Sequence, residues 1–210
     1  MTLEDPQHPA PTPEAVLDFW FGESVADPSA AAARSSVWYG ASPDIDRQIA
    51  GRFGGWVEAA AAGELDVWQA TARGRLALVI LLDQFPRNLH RGSGAAFDHD
   101  PRALELAREG AANGHLDELQ PIEQVFLLMP YQHTEDLALQ REGVAHYERI
   151  ARAASPSWRA QLENALDFAR RHLTIVERFG RFPHRNGALG REATPAERRY
   201  LEEGGERFGQ

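Results

Sequence analysis

The sequence predicts an all-α fold, and three observations carry that expectation. A capping residue followed by proline recurs at Thr12-Pro13, Ser42-Pro43, Asp100-Pro101 and Thr194-Pro195, the pattern of an N-cap with proline in the first helical turn. Apolar residues after such starts fall at helical spacing, as in Ile45, Ile49, Phe53 and Trp56. No stretch alternates apolar and polar residues as a half-buried strand would.

Taken in order, residues 1–11 are polar and proline-rich and read as a loose tail, with residues 12–210 as one helical domain. The first helix runs through VLDFWFG and stops at Gly22. Phe19, Trp20 and Phe21 cannot share one face, so at least two should pack into the core. Residues 23–36, rich in small side chains, read as a linker. A second helix opens at Pro43 and stops at Gly63. Thr71 caps a third whose centre, LALVILL, is apolar on all sides, which predicts the buried central helix. Its end is placed at Asp83-Gln84, just before FPRN. Further helices are expected from Pro101 to Gly114, from Pro121 to a stop at Pro130, and from Thr134 to about residue 154. In the last of these Glu135 and Asp136 lie in the first turn, where the helix dipole favours them. The longest opens at Pro156 and reaches about Phe179 along the stripe Trp158, Leu162, Ala165, Ala169, Leu173 and Val176. Thr194 with Glu197 forms a capping box for a final short helix. The sum is an antiparallel array of about eight helices, since short connections make antiparallel neighbours. Trp38, Trp56, Trp68 and Trp158 are expected in the core.

At 210 residues, with 43% hydrophobic and 25% charged residues, the composition is that of a globular protein with a sizeable core. There is no cysteine, so disulfides and thiolate metal sites are excluded. All 22 basic residues are arginine. The net charge of −9 argues against general nucleic-acid binding. Neither a signal peptide nor a membrane-spanning run is visible, which makes a cytoplasmic location the expectation.

Against that acidic background, residues 178–191, RFGRFPHRNGALGR, stand out: they hold Arg178, Arg181, His184, Arg185 and Arg191 and no acid. Gly180 is placed as a C-cap, and Pro183 prevents the helix from continuing, so the cations are presented on a stiff loop past a helix end. A second stretch, FPRNLHRG at 85–92, echoes FPHRNGALGR at 182–191 and also follows an apolar helical run. Two helices that exit alike could bring two Arg-Asn turns to one end of a stack. Guanidinium forks match carboxylates and phosphates. His133, in PYQHTED, and His172, on the long helix, supply proton-transfer groups. The candidate site is therefore Arg87, Asn88, His172, Arg181, Arg185 and Asn186 as ligand-binding residues for a small carboxylate or phosphate. His133 or His184 is the candidate catalytic group, with Glu135 orienting it. A metal site from His133, Glu135, His172 and His184 is disfavoured by irregular spacing, and no cofactor is called for. Two alternatives stay open: a structural arginine network that staples helix ends, and a helical interaction module with a protein partner. No GxSxG or phosphate-loop motif is present.

LLDQFPRNLHRG, MPYQHTEDLALQ and ERFGRFPHRNGALGR, with VLDFWFG near the start, together resemble domain-of-unknown-function family 924 from about Val16 to Phe208. Thr134 stands where the family's usual form has serine, which keeps the hydroxyl. The resemblance implies a bacterial protein with an all-helical fold similar to tetratricopeptide-like superhelices. It implies no established activity, so whether the chain is an enzyme is left to the chemistry of its residues. No 34-residue tetratricopeptide period is legible.

Overall fold

The computed structural model describes residues 10–208, so most of the expected tail, and residues 209–210, lie outside the described residues. Capping chemistry places the helix starts. The side chains of Thr12, Ser42 and Thr71 accept from the backbone N–H of Ala15, Ile45 and Gly74, and Thr194 and Glu197 form the reciprocal capping box. The helices are α1 (Pro13–Phe21), α2 (Pro28–Tyr39), α3 (Pro43–Ala61), α4 (Ala72–Val79), α5 (Phe85–Leu89), α6 (Asp100–Ala112), α7 (His115–Glu118), α8 (Pro121–His133), α9 (Leu137–Ala153), α10 (Arg159–Phe179) and α11 (Pro195–Glu202). Among the described residues there is no strand, and no helix is long and apolar enough to cross a membrane.

The all-round apolar segment is the axis of the fold. Residues 74–86 are buried without interruption, and α4 packs on α1, α6 and α8. Around it the rings of Trp20, Phe21, Phe53, Phe85 and Phe126 interlock, for example Trp20 on Phe126 at 5.8 Å and Phe21 on Phe126 at 5.2 Å, both edge to face. Each such ring contributes roughly 1.5–3 kcal/mol by leaving water. Trp38, Trp56 and Trp158 are buried, and Trp68 packs partly buried against the same core. A smaller cluster of Ile175, Val176 and Phe182 seals the far end of α10, with Leu137, Phe179 and Tyr200 against it.

Five local expectations need correction. Residues 23–36 are not a linker: α2 starts there, capped by Asp27 with Pro28 at its first position. Its apolar stripe is weak, so periodicity misses it, but Arg34 and the Trp38 indole both donate to the Trp20 carbonyl and fix it to α1. The central helix does not end at Asp83-Gln84. It passes through a π-helical turn at Ile80–Gln84, where the Phe85 N–H donates to the Ile80 carbonyl, and FPRN continues as helix. Pro130 does not terminate α8, which continues to His133. Burial of Tyr131 and Gln132 holds that last turn, and the Gln140 amide donates to the carbonyls of Gln132 and Thr134 at 2.7 and 2.8 Å. Finally, Asp136 and not Thr134 caps α9, accepting from Ala138 and Leu139, while α10 begins at Arg159, three residues after Pro156. Where α9 crosses α8, Gly143 is required by close approach: a Cβ there would stand 2.5 Å from the Tyr131 Cβ.

Candidate functional site

One cavity of about 530 Å³ opens among α2, α5, α8, α10 and the loop after α10, inside the range usual for small-molecule pockets. Its apolar wall comes from Trp38, Tyr39, Phe97, Ile122, Phe168 and Phe208. Its polar pole comes from Gln84, Arg87, Asn88, His133, His172, His184 and Arg185.

The pole is organised by two carboxylates behind the wall. Asp83, placed on the inner side of the π-turn, is fully buried. Its Oδ1 lies 2.7 Å from His133 Nδ1 and 3.5 Å from Arg87 Nη1. Burial alone would raise its carboxyl, but Arg87 and His133 outweigh that and hold it well below the usual carboxylate range. Asp100, in the first turn of α6, receives both guanidinium nitrogens of Arg87 at 2.9 and 3.0 Å and Arg185 Nη1 at 3.4 Å. The two Arg-Asn stretches thus meet through their arginines on one acid. They are not similar exits, since the first lies in α5 and the second in a 3-10 turn at Pro183–Arg185 that follows Gly180 in the left-handed region at φ 70°.

Arg185 is 5% exposed. It stacks over the Phe97 and Phe182 rings at 4.5 and 4.6 Å and donates from Nη1 to the His133 carbonyl at 2.9 Å. Burial and the neighbouring Arg87 lower it to about 10, so it stays charged at neutral pH. The three histidines of the lining are all lowered from their ordinary value. Burial, then Arg87, lowers His133 against the pull of Asp83. Burial and His133 lower His172 well below its usual value. Burial and Arg185 lower His184 to about 4. His172 Nδ1 donates to the Phe168 carbonyl at 2.8 Å, and the Phe208 ring stacks on it at 3.5 Å. Arg87 Nε, Arg185 Nε, His184 Nδ1 and Gln161 Oε1 are buried without a hydrogen bond to the described residues, and all four side chains line this cavity. Orphaned polar atoms are scarce in native proteins, and these four belong to residues of one cavity lining.

Of the residues singled out from sequence, Arg87, Asn88, His133, His172, His184 and Arg185 line the cavity, whereas Glu135, Arg181 and Asn186 do not. Glu135 is taken up by Arg191 at 2.7 and 2.9 Å and by the Phe182 N–H at 2.7 Å; Asp83, fifty residues away, is the acid at His133. Arg181 grips Glu197 and the Glu192 carbonyl, and Asn186 bridges Glu197 and Arg191. These three secure the loop to α9 and α11. Asn88 lines the cavity but is tied to Asp46 at 2.8 Å. No group of three or more histidines and carboxylates among the described residues is arranged to hold a metal. Sequence reading missed Asp100 as the shared acid, because Asp-Pro looked like a helix start alone. It missed the aromatic wall because Phe97, Phe168 and Phe208 belong to three separate elements.

Residues 16–205 match the family described as bacterial protein of unknown function (DUF924), and the chain belongs to it. It is also similar to the solved structure of a protein of unknown function from Agrobacterium tumefaciens, at 37% identity and a TM-score of 0.77, covering 91% of this chain and 97% of that one. Among curated proteins none matches.

Proposed function

We propose that the cavity binds a small molecule with an apolar body and an anionic head, a carboxylate or phosphate. The observation that carries this reading is Arg185: a guanidinium still charged at neutral pH among the cavity's lining residues, whose Nη2 makes no hydrogen bond to the described residues. A ligand oxygen there would gain a charge-assisted hydrogen bond in a place where water competes poorly. Arg87, bidentate to Asp100, sets the local charge and is not free to grip. The aromatic wall suits the apolar body. The alternative of a helical interaction module has less behind it, because the large exposed apolar side chains among the described residues are Tyr39, which belongs to the cavity wall, Val67 and Leu189.

The test is a thermal-shift and calorimetric series with phenylacetate, octanoate and phenyl phosphate, since a ligand that binds only the folded state raises the melting temperature with concentration. At least one of the three should stabilise the wild type, and Arg185→Gln should abolish the effect. Arg181→Ala should lower stability yet keep the response. No response from any of the three acids, or an equal response from Arg185→Gln, refutes the reading.

A further inference from the structure

We infer that His133 Nε2 is the general base of a proton transfer in this cavity, with Asp83 as its positioning residue and an enolisable 2-oxo acid with an apolar tail as substrate class. The inference rests on the anion-binding reading above and adds a reaction to it.

Asp83 and His133 fix a tautomer. The carboxylate is ionised, so the 2.7 Å contact is Nδ1–H donating to Asp83 Oδ1, which leaves the lone pair on Nε2. Nε2 makes no hydrogen bond to the described residues, and His133 lines the cavity. The other two histidines lack this arrangement. His172 is backed by a carbonyl and covered by Phe208, and His184 Nδ1 has no partner. Only His133 has a buried carboxylate behind it to stabilise an imidazolium. The lining holds no serine, threonine or cysteine among the described residues, so an acyl-enzyme route has no nucleophile there. Removal of a proton beside a carbonyl requires a base with a cation near it. Arg185 Nη1 bonds the carbonyl of His133 itself, which brings the two groups to one end of the cavity. A 2-oxo acid sets its carboxylate and keto oxygen side by side, so a single cation can draw both.

In the step, the C3–H bond breaks and the proton goes to His133 Nε2. The bonding pair becomes the C2–C3 double bond of an enolate, whose oxygen takes the carbonyl electrons opposite Arg185. Asp83 balances the imidazolium. Return of a proton, or of a deuteron from D2O, to C3 restores the acid and the neutral base.

Phenylpyruvate is the probe, followed by NMR for deuterium incorporation at C3 in D2O. Wild-type protein should exceed the buffer rate about a hundredfold, the lower end of what a positioned base supplies. His133→Gln should fall to the buffer rate while phenylpyruvate still raises its melting temperature. Asp83→Asn should lose at least tenfold and shift the acid limb of the pH profile to lower pH, because the carboxylate supports the imidazolium. Nitrogen NMR of the wild type should find His133 as the Nδ1–H tautomer, a readout that does not depend on the variants folding. Phenylpyruvate binding without accelerated exchange, exchange that survives His133→Gln, or an Nε2–H tautomer would each overturn the inference. Stabilisation by phenylacetate but not phenylpyruvate would overturn the substrate class, whereas no stabilisation by any of these acids would sink the binding reading instead.

Discussion

Replacing Asp100 with alanine removes the acid that Arg87 and Arg185 share. Both guanidinium groups are nearly out of water, at 12% and 6% side-chain exposure. Breaking a buried pair by deleting one partner costs about 3–5 kcal/mol, chiefly because a charge is left without compensation. Here the cost sits near the lower bound, since Arg87 keeps Asp83 at 3.5 Å and Arg185 keeps the His133 carbonyl at 2.9 Å. About 3 kcal/mol lowers the melting temperature by about 6–12 °C in a chain of this length. The variant should also respond more strongly than wild type to phosphate or phenylacetate, because an added anion takes the place of the lost carboxylate. Urea and thermal unfolding in anion-poor and phosphate buffers measure both effects. Asp66→Ala, which cuts the exposed pair to Arg102, is the control and should cost at most about 1 kcal/mol. A loss below about 1 kcal/mol for Asp100→Ala, or a loss that phosphate leaves unchanged, would refute the view that this acid balances two buried cations beside an open anion site.

Gly143→Ala sets a gain of roughly 1 kcal/mol in helix propensity against a Cβ that would stand 2.5 Å from Tyr131 Cβ and 3.1 Å from its Cγ. Tyr131 is buried and its hydroxyl is tied to Glu142, so overpacking prevails and urea unfolding should give a net loss of about 1–2 kcal/mol; a stabilised variant would contradict the contact. Stability should also fall with pH below about 6.5, the ordinary histidine value. His133, His172 and His184 all titrate lower in the folded chain, His184 at about 4. The unfolded chain therefore binds more protons in that window, and stability present above it is lost as pH falls toward 4. Glu197, lowered to about 2 chiefly by its Arg181 hydrogen bond, extends the loss further. Melting temperature against pH checks this, and a flat profile from pH 7 to 4.5 would contradict it.

Local chemistry made much of the fold legible. The caps at Thr12, Ser42, Thr71 and Thr194 act within three residues of themselves, and the buried run through LALVILL needs no knowledge of its neighbours. What tertiary packing decides stayed hidden. Pro130 reads as a stop until Gln140, from the next helix, is seen holding the turn beyond it. The site divides along the same line. Arg87, His133, His172, His184 and Arg185 stood out as residue types, and the structure gathers them on one cavity. Asp83, at the end of the apolar run, reads as a partner for an arginine just beyond it, and Arg87 four residues on is that arginine; its histidine and the shared role of Asp100 could not be assigned, because those partners lie 50 and 85 residues away. Proximity in sequence pointed instead to Glu135, which serves the Arg191 corner.

The widened turn at Ile80–Gln84 has a further consequence. A π-turn holds one more residue than the α-turn it replaces, which rotates everything after it by about 100° around the helix axis. Phe85–Leu89 thereby faces Arg87 toward Asp100 and Asn88 toward Asp46. Excising a single peptide unit between Val79 and Phe85 would leave a straighter, more regular rod with every side chain of the chamber still present in the chain, yet turned away from it. Assembly of the chamber thus depends on counting residues along its central helix as much as on which residues they are.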